Sequence, residues 1–538
     1  MHFVTTLWKG SSVGGKAGQP TRMRILGATL LCIVVGFQAP QADATSENSL
    51  AVALDMEIHT LDPYGPEQSN PIIDWLVHDQ LFFRDPKTLR PVPNLAESLK
   101  PLDDMTWQLR LRPHIRFHNG EPVDARAVKF TLERIVQGES KSPYRRMLSW
   151  LKDVEVTGDL SLRLHAQRPV PSLSDLLTRL HVLPPRYLTE VGEVRFGEAP
   201  VGAGPYRVVA WKRAEPLVLE MNEEYGGGPK GYPSIRKITF HAMPDAAERI
   251  DKLLTGQVHI ARGFTVQQAR LLNHAGIARV SAKPTPRVVT LQMDGDGRAS
   301  KTPLNDRRVR RAISYGLPVD EIVEAVLGKY AVRAQAGLTP LHFGYDAAIL
   351  PRPFDLQKAR GLLNDAGYGE GFEIPLNFSP SILPEGERLS TLIAEHLEKL
   401  NLKVRFRRFP DAQEFYANLR QGKLEGLTLL TSGNGASFDA DAVFHPFFHT
   451  GQPLAYNTSP ELDKFLDEGR TTIDPERRKA IYSALQKLIV AQAYWMSLYG
   501  QYVIEGVSRK LKYEVSSDEL MPLFSATWNS LKATSLVD

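Results

Sequence analysis

WQLRLRPHIRFHNGEPVDARAVKFTLER, residues 107–134, decides how this 538-residue chain is read. Trp107, Leu109 and Leu111 alternate with Gln108, Arg110 and Arg112, the period-two pattern of a strand with one buried face. Pro113 ends that strand, Ile115 and Phe117 open a second short one, and Asn119-Gly120 is a turn dipeptide. Asp124 stands where a helix N-cap belongs, just ahead of the apolar positions Ala127, Val128, Phe130 and Leu132. The order is strand, tight turn, Pro-containing entry, helix.

Other segments fall in register with it. They are Thr60-Leu61-Asp62-Pro63, Asn94–Ser98 (NLAES), Pro200–Tyr206 (PVGAGPY), Pro303–Ala312 (PLNDRRVRRA) and Ala359–Tyr368 (ARGLLNDAGY). Together they closely resemble the signatures of the family 5 extracytoplasmic solute-binding proteins, the receptors of dipeptide, oligopeptide and nickel ABC importers. The resemblance runs from about Leu50 to Trp528, with Ala203 where the family usually has Thr. It implies an α/β, bilobal periplasmic-binding-protein fold of type II, of the large cluster-C-like kind, with two crossover strands forming a hinge. It also implies a receptor that binds a peptide-like ligand, hands it to an inner-membrane ABC permease, and catalyses nothing.

Composition agrees with a soluble globular chain, at 42% hydrophobic and 23% charged residues, long enough for two or three domains. Ile25–Phe37 is an apolar run too short to span a bilayer, preceded by Arg22 and Arg24 and followed by Ala42-Asp43-Ala44. Residues 1–44 are therefore expected to be a cleaved signal peptide, with Met23 a competing start, and the protein to be periplasmic. The single cysteine, Cys32, lies inside the apolar run, with Leu31 before it and Ile33-Val34-Val35 after it, unlike a lipid-modified cysteine. Cleavage would leave no thiol and no disulfide. Of the formal charge of +4, Lys9, Lys16, Arg22 and Arg24 against Asp43 put +3 in the leader. A near-neutral mature chain without a basic tract argues against a nucleic-acid partner.

The second half alternates strands and helices: strand 372–378, helix 387–400, strand 402–409, helix 412–421, strand 426–430. Repeats of that length imply parallel strands, with ligands outside their carboxyl ends, here Ser379–Gly386 and Thr431–Phe438. The first half reads as short strands. The family architecture implies lobe I over 45–287 with an inserted subdomain at about 86–200, lobe II over 288–499, and a return to lobe I over 500–538. The crossings would fall near Val288–Met293 and Tyr499–Val503, and closure on a ligand is the expected motion.

Several motifs carry less than they suggest. Gly226–Gly231 (GGGPKG) spells a dinucleotide fingerprint, but a strand follows where a helix should begin, so it reads as a turn. Asp294-Gly295-Asp296-Gly297 starts like a calcium loop, yet its twelfth position is Asn305 where a bidentate Glu is needed. Hydrolase and phosphate-loop motifs do not occur, and neither a metal nor any other cofactor is expected. His118 is expected to order its turn. His445 and His449 follow Asp439 and Asp441 and could suit a transition metal, although Pro446 argues against one helix face holding both rings.

Dipeptide receptors of this family hold the ligand ammonium with an Asp and its carboxylate with an Arg. Those positions fall near Gly433–Ala436 and Ser379 and carry no charge here. Asp439 is the nearest acid that could substitute. A longer or blocked peptide, a conjugate such as glutathione or an opine, or a metal chelate fits better than a simple dipeptide, because a buried unpaired charge costs several kcal/mol. The expected ligand contacts are Tyr64, Arg262, Phe264, Asn434, Phe438 and Asp439, with Tyr206 near the hinge. The expected assembly is a monomer. A stand-alone interaction protein on the same fold, such as a chaperone or chemoreceptor adaptor, is the alternative from another class, and a nickel-type chelate receptor the alternative within it.

Overall fold

The structure is a computed structural model and describes residues 48–529 apart from 68, 138–141, 227 and 434–437. The expected leader, Cys32 included, lies outside the described residues. None of the described helices is long and apolar enough to cross a membrane.

The signature segment folds much as its pattern dictates. Thr106–Leu111 is a strand, and Asp124 caps the helix Ala125–Val136 by accepting the Ala127 N–H at 2.9 Å. The second strand expected at Ile115–Phe117 is only a bridge, Arg116 opposite Pro122, because Asn119-Gly120 turns the chain back at once. Thr106–Leu111 is central in a four-stranded antiparallel sheet with Ala96–Asp103, Leu151–Gly158 and Ser161–Ala166. Trp107, Leu109, Leu162 and Leu164 from that sheet pack with Val128 and Leu132 of the helix into one apolar core.

The rest of the chain is organised by one eleven-stranded mixed sheet. At one end Ser49–Leu54 runs parallel to Lys237–Ala242 and Ile260–Arg262, with Leu217–Met221 and Tyr206–Ala210 added antiparallel. At the other end Phe372–Phe378 runs parallel to Leu402–Arg408 and Leu427–Ser432. Helices Gly386–Glu398 and Ala412–Arg420 make the connections expected from the alternating pattern. The edge strand Leu402–Arg408 is studded with Lys403, Arg405, Arg407 and Arg408, which blunts pairing with a foreign strand.

Two long strands, Ala278–Met293 and Trp495–Ser508, join the ends. They pair antiparallel from Ala278 to Gln292, with the register broken between Pro284 and Val288, besides a shift between Val289 and Thr290. Pro284 and Pro286 explain the break: proline withholds the N–H that a ladder needs. Thr285 staples the gap through a hydroxyl donated to the Gln501 carbonyl at 3.0 Å. Gly433, at φ 76°, lies so close to the same break that a Cβ there would be 2.6 Å from the Pro286 carbonyl oxygen. A separate core behind the second end packs Phe444, Phe448, Tyr482 and Leu485 from the last helices against Trp495 at the start of the crossover strand.

Candidate functional site

Parallel strands put their carboxyl ends on one side of a sheet. At the first end of the sheet, Ser49–Leu54 and Ile260–Arg262 deliver Asp55 and Gly263-Phe264 side by side. At the second, Phe372–Phe378 and Leu427–Ser432 deliver the segments that begin at Ser379 and Gly433. The two sets face each other. Phe264 and Asp55 share a cavity of about 240 Å³ with Pro384 and Glu385, floored by the crossover residues Tyr499–Tyr502.

A second point of approach lies at Arg84, the last residue of the strand Phe82–Arg84. Its guanidinium sits 4.2 Å above the ring of Phe438, which belongs to the loop after Leu427–Ser432. Arg84 is held from behind by Asp175 at 2.5 Å and by the Leu89 carbonyl at 2.8 Å. A cation held over an aromatic face is worth about 1–2 kcal/mol when sheltered from water, so the contact favours approach of the two sheet ends. Near the crossing, Arg287 makes a two-pronged pair with Glu519 at 2.5 and 2.8 Å. Glu519 adopts φ 63°, a left-handed conformation that its Arg287 and Arg262 contacts hold in place.

Comparison with known proteins decides the family. Residues 90–454 match the bacterial extracellular solute-binding proteins, family 5. The chain belongs to that family. It is 26% identical over 472 residues to the glutathione-binding protein GsiB of Pectobacterium atrosepticum, covering 86% of this chain and 90% of that one. Among solved structures it resembles NikA from Brucella suis in complex with Fe(III)-EDTA, with TM-score 0.79 and 19% identity over 89% of this chain and 100% of that one. It also resembles a dipeptide-binding protein from Pseudoalteromonas in complex with Met-Leu, with TM-score 0.73 and 20% identity over the same shares. The family 5 fold is bilobal, and the two ends of the large sheet are its lobes, joined by the two crossover strands.

Within this family 5 member the residues singled out in the sequence meet different fates. Phe438 and Phe264 stand where the lobes approach each other, Phe264 lining the cavity and Phe438 beneath Arg84. Arg262 is half-buried and donates to the Glu519 carbonyl at 2.6 Å, on the strand leading to the cleft. Asn434 lies outside the described residues. The other three are committed to structure. The Tyr64 hydroxyl donates to the His181 carbonyl and accepts the His181 N–H, at 3.0 and 2.6 Å, in the core of the inserted sheet. Tyr206 is fully enclosed and donates to the Ile235 carbonyl at 3.0 Å. Asp439 caps the helix Ala440–Phe448 and pairs with Arg478 through both oxygens, at 2.6 and 2.7 Å. Its charge is met by Arg478, and its Oδ1 also accepts the Asp441 N–H at 2.9 Å.

The histidines divide the same way. His118 does not order its own turn; it accepts the Gly202 N–H and bonds the Gly204 carbonyl, at 3.3 and 3.0 Å. It thereby ties the signature turn to the PVGAGPY loop as a neutral ring, its pKa lowered by burial. The helix tolerates Pro446, and His445 and His449 stack at 4.5 Å with Asp467 3.3 Å from His449. Arg470, however, donates to the Nε2 of His445 at 2.8 Å, where a metal cation would otherwise approach. Burial, with Arg470 next in weight, holds that ring neutral, with a pKa of about 3. Guanidinium and dication would compete for that nitrogen, while donor atoms of His445, His449 and Asp467 all lie within 4.8 Å of one another.

Arg84, Asp55 and Glu385 were not singled out from the sequence. The available signal was positional: Asp55 directly follows the apolar strand Ser49–Leu54, and Arg84 ends the buried run Leu81–Phe83.

Proposed function

We propose that the protein is a periplasmic receptor that captures a peptide-like ligand between its lobes and delivers it to an inner-membrane ABC permease, acting as a monomer. The lobes are taken as 45–287 and 288–499 with a return over 500–538, and a subdomain inserted at about 86–200. The observation that carries this reading is the approach of opposed strand ends from the two lobes, bridged by Arg84 on Phe438. Loops so placed can contact one small molecule from both sides, and a ligand that binds the closed arrangement better than the open one shifts the population toward it. The names of the relatives, glutathione-binding and dipeptide-binding, support a short peptide or peptide conjugate. The function needs no chemistry at the site, only differential affinity for the two states.

Calorimetric titration and thermal unfolding with glutathione, free dipeptides and tripeptides test it. A true ligand at about 100-fold over its Kd adds ~2.7 kcal/mol to stability, visible as a clear rise in Tm. Failure of every one of these peptides to bind would sink the reading. Phe438→Ala should weaken an identified ligand about five-fold, since losing ~1 kcal/mol of lobe–lobe contact makes closure costlier. Small-angle scattering of that variant should also show a more open ligand-free particle; unchanged affinity and scattering would remove Phe438 from the closure contact.

A further inference from the structure

After Trp495–Ser508 the chain turns back, and residues 513–519 run beside the other crossover strand, Ala278–Met293. Arg279 donates to the Tyr513 carbonyl, the Ser281 hydroxyl accepts the Val515 N–H at 3.1 Å, and Lys283 stands 3.5 Å from Glu514. Every second strand residue, 279, 281 and 283, thus meets this strap, as the alternation of side chains along a strand requires. The strap itself is fastened to the first lobe at both ends. Tyr513 donates its hydroxyl to Glu505 at 2.8 Å, and Met521, Leu523 and Phe524 just beyond it lie in the core that holds Trp75 and Phe83.

One strap contact differs from the rest. The register of the two crossover strands breaks between Pro284 and Val288, so the ladder that would resist bending is interrupted there. Arg279, Ser281 and Lys283 precede the break. Arg287 follows both prolines, and its guanidinium grips Glu519 at 2.5 and 2.8 Å. Arg287 also lies close enough to Tyr416, on the second-lobe helix Ala412–Arg420, for each to act on the other's ionisation. Among the hydrogen bonds and ion pairs of the described residues, the Arg287–Glu519 pair is the strap contact that spans the break. Glu519 holds its carboxylate out from a left-handed backbone, φ 63°, which persists for such a side chain only where contacts impose it. With Arg287 withdrawn, the bond from Arg262 to the Glu519 carbonyl is left to impose it, so the strap end is poised between two arrangements.

We infer that residues 513–519 form a hinge strap and that Arg287–Glu519 is its latch, closed when the lobes approach and released when the crossover bends open at Pro284–Val288. The latch biases the lobes toward approach without touching a ligand, and so sets how much of a ligand's affinity is spent on closure. The inference rests on the receptor reading for its purpose and deepens it, while its test needs no ligand.

The chain beyond residue 44 contains no cysteine, so Lys87→Cys and Glu461→Cys, both exposed and on opposite lobes, accept a pair of spin labels. Double electron–electron resonance on the full mature chain reads the ratio of approached to open lobes. Glu519→Gln and Arg287→Met should each lower that ratio about five-fold, the scale of one partly sheltered ion pair. Arg287→Lys keeps the charge but not the two-pronged grip and should fall between. Combining Glu519→Gln with Arg287→Met should lower the ratio no further than either alone, since both remove the same bond. Lys283→Met removes a strap contact that precedes the break and should leave the ratio unchanged. The same series in a Phe438→Ala background keeps the shift readable if the wild-type lobes are almost wholly approached. Latch variants within about two-fold of their parent in both backgrounds, or an equal fall in Lys283→Met, would overturn the inference. Glutathione and di- and tripeptides added to the labelled wild type judge the receptor reading separately. If none of them shifts the distances, that reading falls, and the latch stands or falls on its own variants.

Discussion

Replacing Arg478 with methionine is expected to destabilise the protein by about 3–5 kcal/mol, because it strands a buried carboxylate. Asp439 is held by both guanidinium nitrogens at 2.6 and 2.7 Å, with side-chain exposures of 4% for the arginine and 12% for the acid. Arg478 also donates to the Gly469 carbonyl at 2.7 Å and lies against the rings of Phe343 and Tyr482. It therefore fastens the helix Pro475–Gln492 to the start of Ala440–Phe448 and to the end of Pro460–Thr471. Lysine is a poor substitute, since one ammonium cannot span both oxygens and the carbonyl. Removing both charges together, Asp439→Asn with Arg478→Met, should recover much of the loss, as replaced buried pairs often do. Urea unfolding of the three proteins measures this; a single variant within about 1 kcal/mol of wild type would show that the pair is not what secures these helices.

The second large effect is a dependence of stability on pH. Glu505 is fully buried on the crossover strand Trp495–Ser508, opposite Arg262, and accepts the Tyr513 hydroxyl at 2.8 Å. Burial, only partly offset by Arg262 and that hydrogen bond, pushes its carboxyl from 4.5 up to about 7. Between those values the folded protein keeps a proton that the unfolded chain has released. Stability from this group is thus greatest in acid, falls as pH rises from about 4.5 to about 7, and is level above that. A difference of that size amounts to roughly 3 kcal/mol. Glu505→Gln, uncharged at every pH, should match wild type near the acid end and exceed it by up to ~3 kcal/mol above neutrality. Parallel pH profiles for the two proteins would mean that Glu505 titrates as an ordinary carboxyl.

These residues show what a sequence can and cannot disclose. The second-lobe strands and helices were legible because period and punctuation are local: Gly422 ends one helix, and Asp474-Pro475 opens another. The signature strand and its capped helix were legible for the same reason. The cleft was legible only as loops, since strand polarity locates the loops but not the direction of each side chain. Asp439 looked available because its partner, Arg478, is 39 residues away on another helix. Tyr64 looked like a ligand platform because His181, which takes its hydroxyl, is 117 residues away. Conversely Asp55 and Glu385 meet only through folding, and nothing in the neighbourhood of either announces the other.

The position of the last long strand bears on the order in which the chain can be completed. Trp495–Ser508 lies between Ala278–Met293 and Ile260–Arg262 in the middle of the sheet, although it is nearly the last strand to be synthesised. Until Ser508 has left the ribosome, Ile260–Arg262 and Ala278–Met293 lack the neighbour that stands between them, and neither lobe can finish its sheet. Its pairings with those two strands, such as Ala278 with Ser508, close loops of more than two hundred residues, and such long-range closures fold slowly. The nascent chain is thereby kept from reaching its final form early, a kinetic delay written into strand order rather than into any single residue.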